Sequence, residues 1–193
     1  MNMQSLRKKS VFALALCLAS GSVFAHPGHA GGGWLAGLLH PLTGIDHLLA
    51  MLAVGLWAGR SGGSARWQLP LAFLTAMSAG WLAGSIGWTL PWMESGIAAS
   101  VLALGLILVL GAELPRALQL ALTAVFALFH GCAHGTELAA VAPLATAAGF
   151  LFSTAALHGA GLGIAALLPR DRPALFRLAG AGMAAVGAAL LLQ

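Results

Sequence analysis

Residues 129–137 read Phe-His-Gly-Cys-Ala-His-Gly-Thr-Glu, and they lie inside a segment that is otherwise apolar. In a helix, His130, His134 and Glu137 share one face, because they follow one another at intervals of four and three residues. Ionisable side chains at the centre of a bilayer cost about 2.5–3.5 kcal/mol each, so they are rarely found there without a partner or a role. The stretch therefore predicts a membrane helix with a face of metal ligands. Two hydrogen-bonded core histidines at a helix contact are the alternative.

The composition of the whole chain is that of a membrane protein. Its 193 residues are 60% hydrophobic and only 7% charged, whereas soluble domains carry about 25% charged residues. The formal net charge is +4, but three of the nine basic residues are clustered at 7–9 and the others form no basic patch. Binding to nucleic acid is therefore not expected. The two cysteines, Cys17 and Cys132, lie in apolar segments and provide no disulfide framework.

The first 25 residues predict a secretory signal peptide. Basic residues at 7–9 precede an apolar stretch at 11–18, and small residues at 23 and 25 suit cleavage by a signal peptidase. Cleavage after Ala25 would leave residues 26–193 as a single transmembrane domain. An uncleaved first helix is the alternative, although the apolar stretch is short for a membrane span.

The mature chain contains six apolar stretches, each long enough or nearly so to cross a hydrocarbon core of about 30 Å. They lie at 34–58, 69–89, 96–112, 117–139, 144–168 and 174–192. The arginines occur only in or beside alternate connections, namely Arg60 and Arg66, then Arg116, then Arg170, Arg172 and Arg177. Under the positive-inside rule, this alternation predicts an all-α bundle of six transmembrane helices with both mature ends outside the cytoplasm.

Glycine spacing in these stretches predicts closely packed helices. Four pairs have the GxxxG spacing that lets two backbones approach: Gly55 and Gly59, Gly80 and Gly84, Gly131 and Gly135, and Gly159 and Gly163. The first and fourth stretches both carry a dense His-Gly motif, and each begins a set of three. The two halves are therefore predicted to be related by an inverted pseudo-two-fold axis.

The first apolar stretch contains a second group of polar side chains, His40, Asp46 and His47. Pro41 disfavours helical geometry at His40 and favours a new helix start at Pro41, so a broken helix is predicted. Broken helices build transporter sites from freed backbone groups. At this depth the Asp46 carboxylate needs a cation or a hydrogen-bond donor, which a metal ion or an imidazole can supply. Met51, one turn beyond His47, is expected to pack in the core and not to act as a ligand.

A further histidine, His158, lies about 14 residues into the fifth stretch and so near the bilayer midplane. Counted from the outer helix ends, His47, His130 and His158 fall at one central level. The other candidates fall nearer the outer surface, namely His40, His134 and Glu137. The sequence thus predicts two tiers of ligands. Neutral imidazole and carboxylate suit borderline divalent ions such as Ni²⁺, Co²⁺, Zn²⁺, Mn²⁺ and Fe²⁺.

Two motifs carry a resemblance to a known family. His40, Asp46 and His47 follow the pattern H-x5-D-H, and residues 129–137 follow F-H-G-x-A-H-G-x-E. Both are similar to the signature motifs of the HupE/UreJ family of nickel permeases, and neither departs from the family's pattern. The resemblance covers essentially the whole chain in length, signal peptide and span number.

The resemblance implies uptake of nickel, or of cobalt, across the bacterial cytoplasmic membrane to supply hydrogenase or urease maturation. It also implies that the six motif residues carry the function, whereas His158 and Cys132 lie outside the motifs. The ion is then a substrate, and neither a cofactor nor an enzymatic activity is expected. A homo-oligomer and metallochaperones of maturation are compatible partners.

Two functions of other classes remain open from the residues alone. One is an intramembrane metal-dependent hydrolase that uses His130, His134, Glu137 and Asp46. Gly131 follows His130, however, so the H-E-x-x-H arrangement with its general base is absent. The other is a haem-binding electron carrier with axial histidines from two helices. No nucleotide-binding motif is present, so transport would depend on an ion gradient, the membrane potential or trapping of the metal.

Overall fold

The computed structural model describes residues 33–138, 143–168 and 173–193. Over these residues the chain is helical and contains no strand, which confirms the all-α prediction. The helices are α1 (Trp34–Thr43), α2 (Ile45–Ser61), α3 (Ala65–Ser85), α4 (Met93–Leu110), α5 (Arg116–Leu138), α6 (Pro143–Leu167) and α7 (Pro173–Leu191). The predicted signal peptide and the two arginines at 170 and 172 lie outside the described residues.

Four helices, α4 to α7, are long and apolar enough to cross a membrane. The first two helices together form a fifth candidate span that is bent by 85° at its break. Helix α3 has 21 residues but is not among the candidates, since Arg66, Gln68 and Pro70 lower the apolar content of its first turns. A multi-pass membrane protein is therefore confirmed with four or five candidate spans, whereas the sequence predicts six.

The first span is broken, but at a different residue from the one predicted. Pro41 lies inside α1, and the helix continues to Thr43. The chain becomes extended at Gly44, with φ −91° and ψ 120°, and α2 starts at Ile45. Gly44 suits this corner because a Cβ there would lie 2.8 Å from an oxygen of Asp46. The prediction of a new helix at Pro41 was wrong, because the missing side chain of glycine decides the position of the break.

Two helix pairs run in parallel and meet at small residues. Helix α3 packs along α5, where Gly84 meets Gly135, and α2 packs along α6, where Gly55 meets Gly161 and Gly59 meets Ala165. Three of the four predicted glycine pairs therefore lie at close contacts. The fourth prediction was wrong, because a Cβ on either glycine of the pair 159 and 163 would have no neighbour within 4 Å.

Helix α2 is the centre of the bundle. Its segment from Ala50 to Ala58 is buried at every position except Leu52. The third major pair, α4 and α7, is antiparallel, because Gly105 meets Ala184 while Gly180 meets Leu108. This arrangement holds the corner between α1 and α2 beside the last turns of α5, where both polar motifs lie.

Candidate metal site

The corner between α1 and α2 brings the two polar motifs together. The ring centroids of His40 and His134 are 4.7 Å apart, those of His47 and His134 are 4.3 Å apart, and those of His47 and His130 are 4.8 Å apart. The predicted helical periodicity of α5 explains half of this arrangement, because His130 and His134 are one turn apart on one face. The break at Gly44 explains the other half, since it turns α1 across the end of α2 and carries His40 to the cluster.

The inner part of the cluster consists of His47, His130 and His134, all of them buried. One ring nitrogen of each lies within 4.8 Å of the others, a spacing that suits three ligands around one metal ion. Several of these nitrogens have no hydrogen-bond partner, namely His47 Nε2, His130 Nδ1 and both ring nitrogens of His134. A buried polar atom without a partner costs about 1–3 kcal/mol. A bound cation would give these nitrogens the partner that the surrounding residues do not provide.

Asp46 fixes the orientation of His47. Its Oδ1 accepts hydrogen bonds from the His47 backbone N–H at 2.7 Å and from His47 Nδ1–H at 2.6 Å. An ionised carboxylate only accepts, so the proton is on Nδ1 and the lone pair is on Nε2. A carboxylate behind a histidine in this way both orients the ring and raises its strength as a ligand. Asp46 belongs to neither group of convergent ligand atoms, which gives it a supporting position.

Ser100 on α4 fixes the orientation of the His130 ring. The Ser100 hydroxyl donates to the Ile97 carbonyl at 2.7 Å, so its oxygen is free to accept from His130 Nε2–H at 3.0 Å. The lone pair of His130 is then on Nδ1, the nitrogen that has no partner. Sequence reasoning missed Ser100, because a single serine in an apolar helix has no pattern that separates it from ordinary packing.

The outer part of the cluster consists of His40, His134 and Glu137, whose ligand atoms also lie within 4.8 Å of one another. Glu137 Oε2 is 3.8 Å from His40 Nε2, and the two side chains are 52% and 30% exposed. His134 is completely buried and belongs to both groups. The site therefore has a solvent-accessible outer part and a dry inner part that share one imidazole.

Two aromatic rings line the cluster. Phe150 on α6 packs against His134 with centroids 4.1 Å apart, and Phe73 on α3 packs against His130 at 5.9 Å. Both are buried, and they keep water away from the imidazoles, which strengthens electrostatic interactions with an ion. Neither was singled out from the sequence, because phenylalanine in an apolar helix carries no specific signal.

The structure brings six of the seven predicted residues together. His158 is not among them. It is buried on α6 and is in edge contact with Phe73 at 5.0 Å, and it belongs to neither convergent group. Met51 is completely buried and its sulfur accepts a hydrogen bond from Thr154 at 3.3 Å, as expected for a core residue. Cys132 is turned away from the ligand face and donates to the Trp88 carbonyl.

Comparison with known proteins gives a consistent result. The family model for HupE / UreJ protein matches residues 14–190. Protein HupE of Rhizobium leguminosarum bv. viciae is 44% identical over 110 residues, a match that covers 57% of this chain and 58% of that protein. No solved structure matches the chain. The resemblance inferred from the two motifs is confirmed. HupE/UreJ is a family of metal permeases, so the match supports the expectation that the chain is not an enzyme.

Proposed function

The chain belongs to the HupE/UreJ family, and on this premise we propose that it is a permease for a divalent metal ion, nickel or cobalt, in the cytoplasmic membrane. The observation that carries the proposal is the convergence of two distant motifs on one dry cluster. One ring nitrogen of each of His47, His130 and His134 lies within 4.8 Å of the others, and each of the three rings has at least one nitrogen without a hydrogen-bond partner. Their depth inside apolar helices favours an ion pathway over a structural contact.

The two overlapping groups suggest a route for the ion. The outer group, with the exposed carboxylate of Glu137, captures the ion from the external side. His134 then remains a ligand while His40 and Glu137 are exchanged for His47 and His130. A transfer in which one ligand is kept avoids a bare ion at any step, so the barrier between the two positions is low.

The ligands favour borderline ions. Imidazole nitrogen and carboxylate oxygen suit Ni²⁺ and Co²⁺, whereas soft ions prefer thiolates. Cys132, the only described cysteine, donates its S–H to the Trp88 carbonyl and lies outside the cluster. The same donor set accepts either nickel or cobalt, and uptake measured with each ion separates them.

The two rival functions receive less support from the geometry. A hydrolase at the inner histidines would need a free carboxylate beside them as general base. Asp46 Oδ1 is occupied by His47, and Glu137 belongs to the outer group only. A haem with two axial histidines needs space for the porphyrin between the rings. The rings of the cluster lie 4.3–4.8 Å apart, which leaves no such space.

Six spans are proposed for the membrane domain at 26–193, with α3 as the sixth. Helix α3 runs parallel to α5, a candidate span, and meets it at Gly80 and Gly84. A helix that packs along a span in this way is in the bilayer itself, and its polar first turns then lie at the inner boundary. Both ends of the domain are on the external side, as the arginine alternation predicts.

An inverted repeat is proposed within this domain. If α1 and α2 form the first span, the halves are α1–α4 and α5–α7. The repeat would match α2 with α5, α3 with α6 and α4 with α7. Under this match the α2–α6 contact corresponds to the α5–α3 contact, and both are parallel pairs that meet at glycines. The α4–α7 contact joins two matched helices and therefore corresponds to itself. This reciprocity supports two related halves with the site at their interface.

The physiological role that we propose is the supply of metal for hydrogenase or urease maturation. The permease would act through the bilayer and the ion alone, without a resident cofactor. Metallochaperones on the cytoplasmic side and a homo-oligomeric state are compatible with this role.

Uptake of nickel by cells that express the protein tests the proposal. His130→Ala should abolish the uptake while the amount of protein in the membrane stays near normal, because the remaining polar residues keep their helix contacts. Cys132→Ala on the same helix is the matched control and should retain most uptake, because the Cys132 side chain is turned away from the cluster. Uptake that falls only in step with the amount of folded protein would favour a structural role for the histidines.

A further inference from the structure

His158 is a buried polar residue that the motif cluster does not use. It is 1% exposed, and neither ring nitrogen has a hydrogen-bond partner. An imidazole in such a place loses its hydration without gaining a hydrogen bond, which is unfavourable and uncommon in folded proteins. The residue is therefore a candidate for a role that involves a ligand.

The parallel packing of α2 and α6 gives the depth of His158. Gly55 meets Gly161 and Gly59 meets Ala165, and this constant offset places His158 level with Leu52. Leu52 follows His47 by five residues, which corresponds to about 7.5 Å along the helix axis. His158 thus lies deeper in the bundle than the inner histidines, on the side away from His40 and Glu137.

A dry layer separates His158 from the cluster. The ring of Phe73 contacts both imidazoles, at 5.9 Å from His130 and 5.0 Å from His158. Met51 and Met77 belong to the same buried core cluster as Phe73, and their sulfurs lie 3.3 and 3.9 Å from the Thr154 hydroxyl. All three apolar side chains are completely buried, so the layer between the two positions is apolar.

We propose that His158 is a second, inner station for the transported divalent ion, and that Phe73 with the two methionines forms a hydrophobic gate between the stations. The inference rests on the proposed permease function. Conduction needs sites that bind well enough to be entered but weakly enough to be left, and hydrophobic constrictions close a path by excluding water. One imidazole holds a borderline ion more weakly than three. The ion would leave the three-histidine site when the Phe73 ring rotates, and His158 would receive it on the way to the cytoplasm.

The test uses the purified full chain in proteoliposomes, with Ni²⁺ as the probe. Equilibrium binding and the initial rate of uptake are measured for the wild type, His158→Ala and His158→Leu. Leucine is similar in size to histidine, so His158→Leu preserves the packing if the histidine only fills space. Leu157→Ala is the control, because it removes a neighbouring buried side chain on the same helix.

Both His158 variants should bind Ni²⁺ with an affinity within about twofold of the wild type, while their uptake rate falls about tenfold or more. Leu157→Ala should show neither effect. Normal uptake by His158→Leu would overturn the inference. An equal loss of binding and uptake, or a failure of both His158 variants to assemble while Leu157→Ala assembles, would assign His158 a structural role and overturn it as well. A wild type that neither binds nor transports Ni²⁺ would overturn the proposed function itself.

Discussion

The tautomers of two imidazoles of the cluster are set by the hydrogen-bond partners of their rings. Asp46 accepts a hydrogen bond from the protonated ring nitrogen of His47, and Ser100 accepts one from that of His130. In both cases the other nitrogen is left with its lone pair and without a partner. The supporting residues therefore prepare the ligands, and their loss should weaken binding without removing a ligand.

Replacement of Asp46 tests this view. Asp46→Ala should weaken Ni²⁺ binding about 10–100-fold, because His47 loses the partner that fixes its tautomer and ring orientation. Asp46→Asn should have a smaller effect, since an amide oxygen can still accept from His47 Nδ1–H. Titration calorimetry on the purified protein measures both.

The acidic residue Glu113, between α4 and α5, provides the control for the change of charge. Glu113→Gln should leave the affinity unchanged. An asparagine variant as weak as the alanine variant would mean that the Asp46 carboxylate itself binds the ion, as the sequence alone suggested.

The corner at Gly44 is the element that builds the site. A Cβ there would lie 2.8 Å from Asp46 Oδ1 and 3.0 Å from His47 Nδ1. Gly44→Ala should therefore displace the Asp46–His47 pair and weaken Ni²⁺ binding, while the helices still assemble. Measuring both the Ni²⁺ affinity and the thermal unfolding temperature of the variant separates a change in the site from a loss of stability. Unchanged affinity in Gly44→Ala would show that the corner tolerates a side chain and that its tightness is not required.

The parallel α3–α5 contact is an element that stability depends on. A Cβ on Gly135 would meet the backbone of Trp81 and Ser85, and such overpacking costs about 1–3 kcal/mol. Gly135→Ala should lower the thermal unfolding temperature of the purified protein. Gly163→Ala on α6 is the matched control, because nothing lies within 4 Å of the added methyl group. Equal unfolding temperatures for the two variants would argue against this contact.

Part of the site could be predicted from the sequence, and the reason lies in helical periodicity. The spacing of His130, His134 and Glu137 places them on one face whatever surrounds the helix. The break at Gly44 was missed because the nearby Pro41 is a helix breaker and predicts the break at its own position. The support from Ser100 could not be predicted, because it depends on a contact between distant helices. The level assigned to His158 failed for a related reason. It was counted from helix ends, whereas the register between α2 and α6 is set where Gly55 meets Gly161.

At the scale of the molecule, the six alternating spans that we propose account for the direction of three long helix contacts. The pairs α2–α6 and α3–α5 are parallel, as expected for spans one and five and for spans two and four. The pair α4–α7 is antiparallel, as expected for spans three and six. The periodic arginines predict this topology from the sequence, since charge near a span end is a local signal. The pairing of the helices is not local and required the structure.

The proposed topology predicts that the C-terminus is on the external side. A reporter enzyme that is active only outside the cytoplasm should be active when it is fused after Gln193. The same reporter fused at Glu113, between α4 and α5, should be inactive. Activity of a cytoplasm-only reporter at the C-terminus would contradict six spans and require an odd number.

The central claim is that His47, His130 and His134 hold one divalent ion together. X-ray absorption at the nickel edge, on protein loaded with one equivalent of Ni²⁺, measures the imidazole ligands directly. The wild type should show scattering from three imidazole rings, and His130→Ala should show one fewer. A spectrum that is unchanged in His130→Ala, or one dominated by a sulfur ligand, would contradict the three-histidine site.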